Sequence, residues 1–164
     1  MSFTRGTATT SLFVVGFVSS SIQLLLIREM MNIAGGYELI TGIFLASWLI
    51  TSSIGASIAG KSKCDNIKKI QIIFSISPLI SLFFLLLLSR LFLNSGEIPS
   101  ILVSIVLTFL ILIPFCMVSG FTFVKLISFA RQNNDFVPGK SFSIETTGGI
   151  LSGITISILT AGIL

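Results

Sequence analysis

Histidine is absent from the 164 residues, and only 10% of them are charged. A soluble domain carries roughly 25% charged residues. Without an imidazole there is no histidine base for nucleophilic catalysis and no histidine ligand for zinc. Cysteine is nearly absent too: Cys64 lies in a basic stretch and Cys116 inside an apolar run. Two separated thiols do not make a zinc site. They belong to different membrane depths, which predicts free thiols and no disulfide. Neither a G-x-G-x-x-G fingerprint nor a P-loop occurs, and no long polar segment could form a cofactor fold. These absences leave no catalytic, cofactor-binding or metal-binding residue to name.

Hydrophobic residues make up 53% of the chain and are collected into long runs. A helix needs about 20 apolar residues to cross a hydrocarbon core ~30 Å thick. Five stretches meet that length, over about 9–33, 37–59, 70–93, 99–124 and 141–164. The expected fold is therefore all-α, a polytopic transmembrane helical bundle forming one domain, with the lipid bilayer as its first partner. Gly35-Gly36 suits a tight turn after the first span. Pro78 and Pro114 mark expected kinks, tolerated where neighbours satisfy the freed carbonyls, and Pro99 suits the first turn of the fourth helix. Arg5, an apolar run and Ser19 to Ser21 imitate a secretory signal. The apolar character resumes through Ile27 without an A-x-A site, so an uncleaved first span is expected.

The net charge of +4 could suggest nucleic acid in a soluble protein. Here the cations cluster in connectors, and orientation explains them better, so no nucleic-acid partner is expected. If five helices alternate, Arg5, the Lys61–Lys69 connector, Lys125, Arg131 and Lys140 share one side. Arg28, Arg90, Glu29, Glu38 and Glu97 share the other. The positive-inside rule then makes the N-terminus cytoplasmic, in a multi-pass protein of the cell (inner) membrane. The run that stops at Leu164 without a polar tail reads as a fragment, or a domain cut before a sixth span.

Arg28, Glu29 and Glu38 flank the first turn. They read either as an ion-paired mouth of a cavity or as a pair closing the hairpin, with Arg28 snorkelling outward. Gln23 lies deeper and suits an interhelical hydrogen bond. Glu145 shares a face with Gly149 and Gly153, at i+4 and i+8. That spacing points the carboxylate into a helix contact. A buried carboxylate must be paired or protonated, so one reading is a Glu145–Lys125 pair. The other is a carboxylate capping the N-terminal end of the fifth helix. Gly42, Ala46, Ala56 and Gly60 on the second span, like Gly149 and Gly153 on the fifth, read as helix-packing positions. Trp48, mid-span, reads as core packing, with a substrate-facing aromatic as the alternative.

Three stretches carry a family likeness. QLLLIREMMNIAGGYELITGIFLASWLITSSIGASIAGK, Gln23 to Lys61, resembles the first hairpin of membrane-embedded spermidine-synthase-like proteins. PFCMVSGFTF, Pro114 to Phe123, resembles that family's proline-then-glycine fourth helix. GKSFSIETTGGILSGI, Gly139 to Ile154, resembles its fifth-helix motif of an aromatic, a glutamate and closely spaced glycines. Residues 65–110 are generic apolar sequence. The resemblance implies a helical region distantly similar to half of a major-facilitator transporter. It also implies a role anchoring or serving an aminopropyltransferase-like soluble domain that acts on polyamine-like substrates. No residue here resembles that soluble domain, so no cofactor follows for this chain. Two rival readings stay open. One is a half-transporter for a small cationic solute, lined by Gln23, Glu38 and Glu145; the other is a non-catalytic subunit beside other membrane subunits.

Overall fold

The computed structural model describes residues 5–33, 38–62, 66–92, 100–132 and 138–163. Nearly all of these are helical, and no strand occurs among them. The helices are α1 (Arg5–Ile33), α2 (Glu38–Lys61), α3 (Ile67–Phe92), α4 (Ile101–Gln132) and α5 (Pro138–Ile163). The shortest has 24 residues. At 1.5 Å per residue that is roughly 36 Å, enough to cross the hydrocarbon core. All five are apolar enough to span a membrane. Large apolar side chains stand in the open along them, including Leu49 at 68%, Leu79 at 67% and Leu102 at 75% exposure. Such a surface suits lipid and would drive aggregation in water.

Several helix ends lie outside the expected spans. α4 runs to Gln132, past the expected limit at Val124. Its extension KLISFARQ is rich in good helix formers. Leu126 and Ala130, at i and i+4, are buried there. α3 starts at Ile67 because Asn66 caps it, its Oδ1 accepting the Lys69 N–H at 3.3 Å. α5 starts at Pro138, a residue suited to the first helical position. The connectors expected over 61–69 and 131–140 are correspondingly shorter. The turn at Gly35-Gly36, Pro99 and Cys64 lie outside the described residues.

Packing divides between two units, residues 1–24 with 123–164, and residues 25–122. In the second unit, one face of α2 is buried at helical spacing: Ile40, Phe44, Ser47, Thr51, Gly55 and Ala59. An aromatic chain ties three helices together. The Trp48 ring centroid lies 6.2 Å from Phe44 and 5.7 Å from Phe115 on α4, and Phe115 lies 6.0 Å from Phe74 on α3. Gly55 and Gly120 bring α2 and α4 into backbone contact: a Cβ on Gly55 would strike the Met117 carbonyl, and one on Gly120 the Ser52 carbonyl. Helix continues through both Pro78 and Pro114. Pro114 supplies no N–H to the carbonyl one turn earlier and loosens that turn. In the same turn the Ser81 hydroxyl of α3 donates to the Ile111 carbonyl, the neighbour of the Leu110 carbonyl that Pro114 leaves without its helical donor.

Many other hydroxyls are satisfied within their own helices, while those of Ser104 and Ser141 are buried without a hydrogen-bond partner among the described residues. Thr51 donates to the Ser47 carbonyl, Ser57 to Ser53 and Ser75 to Gln71. Four-residue back-bonding of this type hides a polar group from hydrocarbon without a partner helix.

Two substitutions separate close approach from mere smallness. Gly55→Ala is expected to destabilise the folded protein by roughly 1–3 kcal/mol, as overpacking does. Gly42, with nothing within 4 Å of a would-be Cβ, is expected to accept Ala with no loss, helped by alanine's helix propensity. Thermal melting of both variants in the same detergent checks the pair.

Candidate functional site

The first unit is built by the first twenty residues of α1, the last turns of α4 and all of α5. Ala8, Ala130 and Ile144 pack together where the three meet. Phe123 and Phe142 add an edge-to-face contact, with centroids 5.0 Å apart. The closest approach is between α1 and α5. A Cβ on Gly16 would strike the Glu145 carbonyl, and one on Gly148 the Phe13 carbonyl. A Cβ on Gly149 would lie 2.7 Å from the Ser20 hydroxyl. One turn on, the Ser21 and Ser152 hydroxyls are hydrogen-bonded at 2.7 Å. Residues 16, 20 and 21 of α1 thus meet 145, 149 and 152 of α5 in the same order, so the two helices run parallel. Parallel first and fifth helices agree with a chain that alternates direction at every span.

The residue choice follows from this geometry. Gly16-x3-Ser20 on α1 and Gly148-x3-Ser152 on α5 are small residues at i and i+4. This is the spacing that lets membrane helices touch along their backbones. Only the α5 half was legible beforehand, through Gly149. Gly16, Ser21 and Ser152 were missed, although small-residue spacing was the signal that could have found them.

Glu145 sits at the edge of this contact and is half-buried. It is the eighth residue of α5, and no acidic residue falls in that helix's first turn. The capping reading is therefore corrected: α5 begins three residues earlier than expected, and the dipole effect fades within the first turn. Lys125 is also half-buried. Ser141, one turn before Glu145 on the same face, is fully buried.

The other expected positions are dispersed. Arg28, Glu29 and Glu38 are all exposed, and no ion pair joins them among the described residues. Gln23 is half-buried, while two residues earlier Ser21 makes a hydrogen bond from α1 to α5. Of the expected packing residues, Gly149 meets Ser20, and Ala56 is half-buried beside Gly55. Gly42, Gly60 and Gly153 have open space where a side chain would go, and Ala46 is exposed. On α2 the packed face is centred on Gly55, away from Gly42, Ala46 and Gly60; on α5 the close approach is at Gly148 and Gly149 rather than Gly153. Trp48 lies in the aromatic chain of the other unit. Cys116 is buried and free.

Chemically, the α1–α5 contact offers one carboxylate at the edge of a dry, small-residue seam. It can hold a proton or meet a cation. No group of three metal-ligating side chains converges among the described residues. Helix length, apolarity and exposed apolar surface together define an α-helical multi-pass membrane protein. No family model, curated protein or solved structure matches the chain.

Two substitutions probe the seam. Ser152→Ala removes one interhelical hydrogen bond and is expected to cost roughly 0.6 kcal/mol. Gly148→Leu drives a side chain into the Phe13 carbonyl and is expected to separate α1 from α5 altogether. Cross-linking between cysteines placed at positions 20 and 149 reports both: retained in the first variant, lost in the second.

Proposed function

We propose that this chain is the membrane-embedded helical domain of a spermidine-synthase-like protein. Its work is to anchor an aminopropyltransferase-like soluble domain and hold it at the membrane where polyamine-like solutes are handled. The lysine-bearing connector after α2 and the N-terminus face the cytoplasm, in the cell membrane. The observation that carries the reading is the third resembling motif, Gly139 to Ile154. Its Gly148 and Gly149 bring α5 against α1, which gives the motif a structural task in building a rigid scaffold.

A second reading, a half-transporter for a small cationic solute, rests on Glu145 being half-buried beside the seam. Intramembrane carboxylates often line ion and solute paths.

Deleting the segment that encodes these helices from the expressed gene tests the first reading. Aminopropyl transfer from decarboxylated adenosylmethionine to putrescine is expected to leave the membrane fraction. Membrane-bound activity that is unchanged, or never present, overturns it. Spermidine flux into proteoliposomes separates the readings: Glu145→Gln abolishes flux in a transporter and changes nothing in an anchor. Orientation is read separately, from a Lys68→Cys variant lacking Cys64 and Cys116. An impermeant maleimide is expected to label it in inverted vesicles and not in intact cells.

A further inference from the structure

We propose that the groove between α2, α3 and α4 seats an acyl chain of an anionic phospholipid, whose phosphate is held by Lys61 and Lys69. The groove belongs to the second unit and has a volume of about 220 Å³. Gly55 and Ile58 form one wall, Ile70 and Ile73 a second, and Phe121 and Thr122 a third. The one hydroxyl in this wall is spent inside its own helix, Thr122 donating to the Val118 carbonyl at 2.7 Å. What remains is hydrocarbon, suited to a hydrocarbon guest. Ile58 is 46% exposed and Ile73 55%. The groove is therefore open sideways, toward the lipid from which such a chain would enter.

The identity of the headgroup comes from the end of the groove. Lys61 follows Ile58 by three residues, and Lys69 precedes Ile73 by four. Residues so spaced share a helix face. Both ammonium groups thus continue the faces that line the groove, roughly 5–6 Å further along the helix axes. Lys61, Lys68 and Lys69 are all exposed. The N-terminal end of α3, capped by Asn66, points its partial positive charge to the same place. A tail in a dry slot and a phosphate among lysines is the chemistry of an anionic phospholipid. Basic clusters at the membrane end of helix pairs recognise such headgroups. A free phosphate would use the lysines and leave the apolar slot empty.

Native mass spectrometry of the detergent-purified chain tests this. The chain is mixed with equal amounts of phosphatidylglycerol and phosphatidylcholine carrying identical acyl chains. The wild-type chain is expected to retain phosphatidylglycerol several-fold over phosphatidylcholine. Lys61→Gln and Lys69→Gln are surface changes, expected to keep the helical circular dichroism. Each is expected to lower that preference roughly fivefold. Glycerol phosphate, the headgroup without tails, is expected not to displace the lipid. Equal retention of the two lipids by the wild-type chain overturns the proposal, as does a preference that survives both lysine substitutions. Displacement by glycerol phosphate overturns the role of the groove.

Discussion

Among lipid tails the hydrophobic effect gives one helix no reason to seek another, because a leucine against lipid is as well placed as a leucine against leucine. What draws helices together is dense contact, and the densest contact puts backbone on backbone. This chain makes such contacts at two places. In the first unit Gly16 and Gly148 let α1 and α5 touch; in the second, Gly55 and Gly120 do the same for α2 and α4. The rest of each unit is arranged around these points, with small hydroxyl residues beside them and bulky aromatics one or two turns away.

The same solvent explains how polar groups are placed. Every backbone N–H and C=O inside hydrocarbon needs an internal partner, which only continuous helix supplies here. Serine and threonine then return their hydroxyls to carbonyls of the same helix. Some instead join helices: Ser21 with Ser152, Ser81 with the Ile111 carbonyl, and Thr41 with the Met31 sulfur.

Function follows from what this packing leaves over. The α1–α5 seam leaves a single half-buried carboxylate at its edge, and the α2–α3–α4 junction leaves a sideways-open apolar slot ending in lysines. α5 is the least enclosed helix, with 11% of its most apolar window buried against 39% for α4. Its outward face, with Phe142, Ile150, Leu151 and Ile154, is therefore a surface for lipid.

The five helices could be read from composition and run length alone, because a twenty-residue apolar run has only one way to satisfy its backbone in a bilayer. The direction of α5 relative to α1 was implicit in the same count. Helix ends were less legible: Leu126 and Ala130 extend α4 beyond its apolar run only because neighbours bury them, and Pro138 starts α5 ahead of it. Small-residue spacing marked candidates such as Gly149 but could not say which of them matter. Gly42, Gly60 and Gly153 share the spacing of Gly55 and Gly148, yet face open space. A glycine's role is set by whether another backbone arrives opposite it, and that is decided by the rotation and crossing of two helices. The pairing of Glu145 was undecidable for the same reason: sequence sets its depth, but only packing sets which side chains lie across from it.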